Sequence, residues 1–206
     1  MSKNIYQFKI TLKEITPKIW RLIEVPSDFT FTDFDITILK AMGWDGTHAS
    51  QFKMLNPRTG IKEIIASGRC SEGNTEFVYG DDVQLFQYFL INNKKAVHYY
   101  DFGDGWRHDI AFRKEFKPED GVKYPRCIKG ERACPPDDCG GGPWGYDDFI
   151  QAQENSEKMS EETRRWWGNF DPEKFDIEEV NQKLHALRLG SCEILDSLKL
   201  KVIVEE

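Results

Sequence analysis

The sequence predicts an α+β fold: antiparallel sheet built from hairpins, with an early helix and a helical C-terminal third. Three observations predict it. Ile5 to Ile15 alternates, with Tyr6, Phe8, Ile10 and Leu12 on one side and Lys9, Thr11 and Lys13 on the other, the period-two pattern of a half-buried strand. Thr32 to Gly43 carries an apolar stripe of Phe34, Ile38, Leu39 and Met42. Two apolar runs, Ala96 to Phe102 and Trp106 to Phe116, flank Gly103, Asp104 and Gly105, turn residues that join strands into a hairpin.

Along the chain, Thr16 and Pro17 break the first strand and Ile19 to Val25 resumes in β-favouring residues, which predicts an antiparallel pair. In the helix that follows, Thr32 serves as cap, Asp33 and Asp35 suit its positive end, and Gly43 closes it. Gln51 to Asn56 and Ile61 to Ser67 are strands about the turn signal Asn56-Pro57, and Gly68 to Asp82 reads as loop. Val83 to Ile91 fits a short helix or a buried strand equally well. From Lys117 to Gly145 the chain is rich in proline, glycine, charge and cysteine without periodicity, a loop of the length that commonly carries function. Helices are predicted over Tyr146 to Glu154 and Ser160 to Trp167, and from Asp176, where Glu179 completes a capping-box-like start, to Gly190; Leu198 to Val204 reads as a last strand.

The 206 residues suit one domain, residues 1–206, with a single well-covered core. Lysine and arginine total 28 against 35 acidic residues, a formal charge of -7. That balance repels phosphate backbones unless basic residues cluster on one face, so generic nucleic-acid binding is disfavoured. No stretch has the apolar run of a signal peptide or a membrane span, which predicts a cytoplasmic protein with no membrane partner. Cys70, Cys127, Cys134, Cys139 and Cys192 make an odd count, so their roles are thiol, metal or burial rather than a disulfide framework.

The most informative stretch is YYDFGDGWRH, Tyr99 to His108. A two-residue hairpin fixes which side chains share a sheet face. With Asp104-Gly105 as the loop, Asp101 sits opposite His108; with Gly103-Asp104, Tyr99 faces His108 and Asp101 lies diagonally beside it. Both registers place Asp101 and His108 on one face, together with Val97, Tyr99, Trp106, Ile110 and Phe112. An imidazole oriented by a carboxylate serves as a general base or a metal ligand. The plainer reading is a buried hydrogen bond that fixes the hairpin.

The run YPRCIKGERACPPDDCGGGPWGYDDF gathers Cys127, Cys134 and Cys139 beside Asp137 and Asp138. Three thiols with His108 as a fourth ligand would make a structural zinc site, although the cysteine spacing matches no common zinc signature. Asp101, Asp104, Asp137 and Asp138 would hold a divalent ion for hydrolysis if this loop folds over the hairpin. Arg126 and Arg132 either hold an anion or clamp neighbouring carboxylates. Gly140 to Gly142 lack the lysine that a phosphate loop requires. Asp101-Phe102-Gly103 matches the kinase metal-binding triplet in letters alone, with no companion kinase motif.

These residues resemble the plasmid pRiA4b ORF-3-like family. The resemblance is carried by ITLKEITPKIWR near the N-terminus, AMGWDGTH at the helix end, YDFGDGWRHDI in the hairpin, and YPRCIKGERACPPDDCGGGPWGY, with Asp137 where glutamate is usual; FDPEKFDIEEVN also fits. It implies an α+β fold and no assigned activity. Where members often carry a second histidine after the GW helix, His48 is here followed by Ala49-Ser50, which weakens any metal site that needs it.

Two functions follow. The first is a non-catalytic binding or accessory module for a protein partner, its surface drawn from Tyr99, Trp106, Arg132, Asp137, Asp138, Trp144 and Tyr146. The second is a metal-dependent or acid–base hydrolase with His108 as base or ligand, Asp101 as orienter, and Asp104, Asp137 or Asp138 as metal or proton partners. A third reading leaves every motif architectural.

Overall fold

The computed structural model describes residues 4–67, 77–137, 140–154, 161, 164 and 169–187. Within them, strands β1 (Ile5–Leu12), β2 (Trp20–Pro26), β3 (Ser50–Leu55), β4 (Lys62–Ala66), β5 (Val78–Tyr79), β6 (Lys95–Tyr100), β7 (Trp106–Phe116) and β8 (Arg126–Glu131) form one sheet. Its order is β5-β4-β3-β6-β7-β1-β2-β8. Every neighbouring pair is antiparallel except β4 with β5. Four helices accompany it: α1 (Phe31–Met42), α2 (Leu85–Tyr88), α3 (Gly142–Glu154) and α4 (Ile177–His185). The α+β class therefore holds, with a mostly antiparallel mixed sheet.

The alternation of β1 does what it predicts: Tyr6, Phe8, Ile10 and Leu12 are buried on the inner face. Helix α1 lays Phe31, Phe34 and Ile38 over that face, and Phe34 packs against both Phe8 and Phe52 with ring centroids at 4.7 and 5.8 Å. Each such fully buried aromatic contributes about 1.5–3 kcal/mol. The cap of α1 is Thr30, two residues before the predicted Thr32, because Asp33 reciprocates: Thr30 Oγ1 accepts from Asp33 N while Asp33 Oδ2 accepts from Thr30 N. Gly43 closes the helix in the left-handed region as expected, at φ 108°.

Val83 to Ile91 resolves as the short helix α2, whose Leu85 and Tyr88 are buried. The loop predicted over Lys117 to Gly145 instead contains β8, paired to β2 with a register shift between Leu22 and Ile23. That shift breaks simple alternation and hid the strand. Asp176 caps α4, accepting from the amides of Glu178 and Glu179. The predicted end of this helix at Gly190, most of the Ser160 to Trp167 helix and the Leu198 to Val204 strand lie outside the described residues. No helix among the described residues is long and apolar enough to cross a membrane.

Candidate functional site

The hairpin register differs from both sequence expectations. Tyr100 pairs with Trp106 and His98 with His108, so the connection is the five residues Asp101 to Gly105. Asp101 takes a left-handed conformation, φ 52°, and its carbonyl accepts from Gly105 N at 2.6 Å. Its side-chain Oδ1 accepts from Gly103 N at 2.9 Å and from Asp104 N at 3.3 Å. Aspartate tolerates this backbone and satisfies the loop amides itself, which lengthens the turn. An odd-length connection then reverses which β6 residues share the face of His108. Ala96, His98 and Tyr100 point inward, while Val97 and Tyr99 point outward. The predicted Asp101–His108 pair is therefore not formed; the nearest imidazole to Asp101 across an ion pair is His48, Nε2 to Oδ2 at 3.8 Å.

The partner of His108 is His98. Their Nδ1 atoms lie 3.1 Å apart, and His98 Nε2 lies 2.6 Å from Oδ1 of Asp35, a buried residue in the middle of α1. Both imidazoles have zero solvent exposure and Asp35 has 5%. Phe52 packs on His98 at 4.7 Å, and Trp44 stands edge-on to His108 at 5.4 Å. His108 Nε2 is buried with no hydrogen-bond partner among the described residues. Burial, reinforced by the neighbouring His98, holds the His108 pKa well below its ordinary 6.5. This chain keeps one imidazole neutral and offers it no route to solvent.

The long loop does come to the hairpin. Trp44 Nε1 donates to the Pro135 carbonyl at 2.9 Å, and Asp45 N donates to Asp137 Oδ2 at 2.8 Å. At the hairpin tip the backbone of Gly142 lies so close to the Asp104 carbonyl that an added Cβ would sit 2.0 Å from its oxygen. Trp44 also stacks on Tyr100 at 5.1 Å and tilts against Trp106 at 5.5 Å, joining helix end, hairpin and loop in one aromatic block.

The other expected site residues separate by burial. Trp106 and Tyr146 are core residues, at 2% and 1% exposure, so they form no recognition surface. Tyr99 is half-buried on the outer sheet face under Lys53. Arg132 is a clamp: Nε donates to Glu173 at 2.7 Å and Nη1 to the Pro17 carbonyl at 2.9 Å. Arg126 likewise holds Glu24 at 2.6 Å and Glu119 at 3.1 Å. Cys127 and Cys134 are buried and not joined in a disulfide. Burial pushes the Cys127 pKa up to about 11, against the pull of Arg21. Neither thiol joins His108, and among the described residues no three His, Cys, Asp or Glu side chains converge to hold a metal ion. Asp138 and Cys139 lie outside the described residues.

Sequence reasoning missed Asp35, His98 and Trp44. Asp35 had a visible signal: it lies four residues after Phe31 and three before Ile38, inside the apolar stripe rather than at the helix start.

Three similarities bear on these residues. The model of the plasmid pRiA4b ORF-3-like protein family matches residues 4–179. The uncharacterized protein y4hQ of Sinorhizobium fredii (strain NBRC 101917 / NGR234) is 30% identical over 173 residues, covering 83% of this chain and 84% of its own. The crystal structure of a protein of unknown function from Methanosarcina mazei Go1 superposes with a TM-score of 0.80 at 38% identity, covering 87% of this chain and 99% of its own.

Proposed function

We propose that this chain, which belongs to the plasmid pRiA4b ORF-3-like family, is a non-catalytic binding module that engages a protein partner at the junction of the hairpin tip and the long loop. One observation carries the reading: His108, the imidazole expected to act as base or ligand of a hydrolase, has zero solvent exposure, as does its partner His98. A substrate has no contact with a general base held in that position, since proton abstraction needs hydrogen-bond reach or one bridging water. The Asp35–His98–His108 chain is a keystone that ties α1 to β6 and β7.

What remains for recognition is the junction itself. Phe102 in the hairpin tip is 55% exposed and Trp144, two residues past the Gly142 contact, is 80% exposed. Large aromatics left exposed on a backbone fixed by close packing are the residue type that anchors protein interfaces.

A photo-crosslinking amino acid replacing Trp144 is the test. It should give a discrete protein adduct that is lost when Phe102→Ser is added, whereas the same probe at exposed Ile91 gives none. Hydrolytic turnover by the wild type that disappears in a folded His108→Ala variant would overturn the reading.

A further inference from the structure

The core draws its sheet residues from the inner face. The outer face carries a different chemistry. The cross-strand register aligns Lys129 with Leu22, Leu22 with Lys9, Lys9 with Ala111 and Ala111 with Lys95, one row across β8, β2, β1, β7 and β6. Lysines therefore stand at every second strand of this row, and at about 4.8 Å per strand the row spans about 19 Å. Lys53 lies in the adjoining row, opposite Val97.

The acidic residues of this face are already engaged. Glu24 is buried and held by Arg126 at 2.6 Å, Asp109 by Lys13 at 2.9 Å, and Glu131 accepts from Trp20 Nε1 at 2.9 Å. Lys9, Lys53, Lys95 and Lys129 have no carboxylate partner among the described residues. Two aromatics sit among them: Lys9 Nζ lies 4.2 Å from the Trp20 ring and Lys129 Nζ 5.9 Å, while Lys53 Nζ lies 4.8 Å from Tyr99. A chain of formal charge -7 thus concentrates, among the described residues, cations without carboxylate partners, interleaved with half-exposed rings, on the face of the sheet away from its core.

We propose that this outer face binds single-stranded nucleic acid, with Lys9, Lys95 and Lys129 contacting phosphates and Trp20 and Tyr99 contacting bases. Charge complementarity selects a polyanion. The rings among the lysines favour a strand whose bases are free to meet them over an acidic protein or a lipid surface, and an open sheet with lysines and aromatics is the geometry that admits such a strand. This surface is separate from the hairpin–loop junction and does not depend on it.

The test is fluorescence anisotropy with a labelled oligothymidylate of about twenty nucleotides, titrated with salt from about 50 to about 200 mM. Saturable binding that weakens with salt is expected. The Lys9→Gln/Lys95→Gln/Lys129→Gln variant should reduce the slope of log K against log salt by about 2, since each phosphate contact on a single strand contributes about 0.7. Trp20→Ala should weaken binding about tenfold with the slope unchanged, as loss of a base contact requires. If circular dichroism shows the triple variant unfolded, Lys95→Gln alone, at an exposed position, should still lower the slope by about 0.7. Absent binding at low salt, an unchanged slope in the folded variant, or equal competition by duplex DNA, polyglutamate or phosphatidylserine vesicles would overturn the inference. Trp144→Ser should leave oligonucleotide binding intact; its loss there would move the ligand to the hairpin–loop junction and overturn the assignment to the sheet face.

Discussion

His98 and His108 meet Nδ1 to Nδ1 at 3.1 Å across β6 and β7, so one ring must donate and the other accept. With Asp35 as the carboxylate acceptor, His98 Nε2 carries a proton and its Nδ1 is left as the acceptor. His108 must then donate from Nδ1, which leaves its Nε2 as a bare lone pair in the core beside Trp44. The tautomers of both rings follow from one carboxylate.

Removing the middle of this chain should be costly. His98→Phe leaves Asp35 buried without its imidazole, and the expected loss of unfolding free energy is about 3–5 kcal/mol. Adding Asp35→Leu should restore more than half of it, because the unpaired carboxylate is then gone as well. Urea unfolding of the two single variants and the double variant measures the coupling; additive losses would contradict a shared hydrogen bond.

The depressed pKa of His108 makes stability pH-dependent with a definite sign. Below 6.5 the unfolded chain binds a proton at this residue that the folded chain rejects, so folded stability is fully present above 6.5 and falls as pH drops. The loss from this group is about 1.4 kcal/mol per pH unit until its folded pKa is reached. His108→Phe should flatten that dependence. Urea midpoints of the two proteins between about pH 8 and pH 5.5 read the difference, and parallel curves would contradict the assignment.

At the far edge of the sheet, Asn181 of α4 imitates a neighbouring strand. Its Oδ1 accepts from Cys127 N at 2.7 Å and its Nδ2 donates to Cys127 O at 2.9 Å. Such pairing protects an otherwise open strand edge. Asn181→Ala should cost about 1–2 kcal/mol and speed hydrogen exchange at the Cys127 amide. Unchanged protection there would show that the amide is covered some other way.

Gly142 tests the junction between hairpin and loop. Its φ is +58°, and an added Cβ would lie 2.0 Å from the Asp104 oxygen. Gly142→Ala should lower the melting temperature and shift the emission of the protein's tryptophans as the tip moves away, whereas an unchanged melting curve would contradict the contact.

The sequence reading succeeded where large apolar residues alternate without interruption, as in β1 and in β7, whose Trp106, His108, Ile110 and Phe112 share one face as expected, although their burial removes Trp106 from the expected recognition surface. It failed on β6 for one local reason. Asp101 adopts positive φ and hydrogen-bonds two loop amides, so the connection has five residues rather than two, and parity puts His98 rather than Asp101 beside His108. The acid expected to orient a histidine of this hairpin was Asp101 on His108; the acid that does so is Asp35 on His98, and finding it required α1 to be placed over the sheet, because Asp35 and His98 are 63 residues apart. The lysine row of the outer face was equally invisible, since it is assembled from strands whose spatial order differs from their order in the chain.

The most direct test of the sealed-keystone account is nitrogen-15 NMR of the imidazole rings in uniformly labelled protein, followed from about pH 8 to about pH 5.5. The prediction is a His108 ring protonated at Nδ1 alone, with shifts that do not move across that range while the protein stays folded. A His108 ring that titrates near 6.5 in the folded protein would contradict it, because such a ring would be open to solvent and available for catalysis.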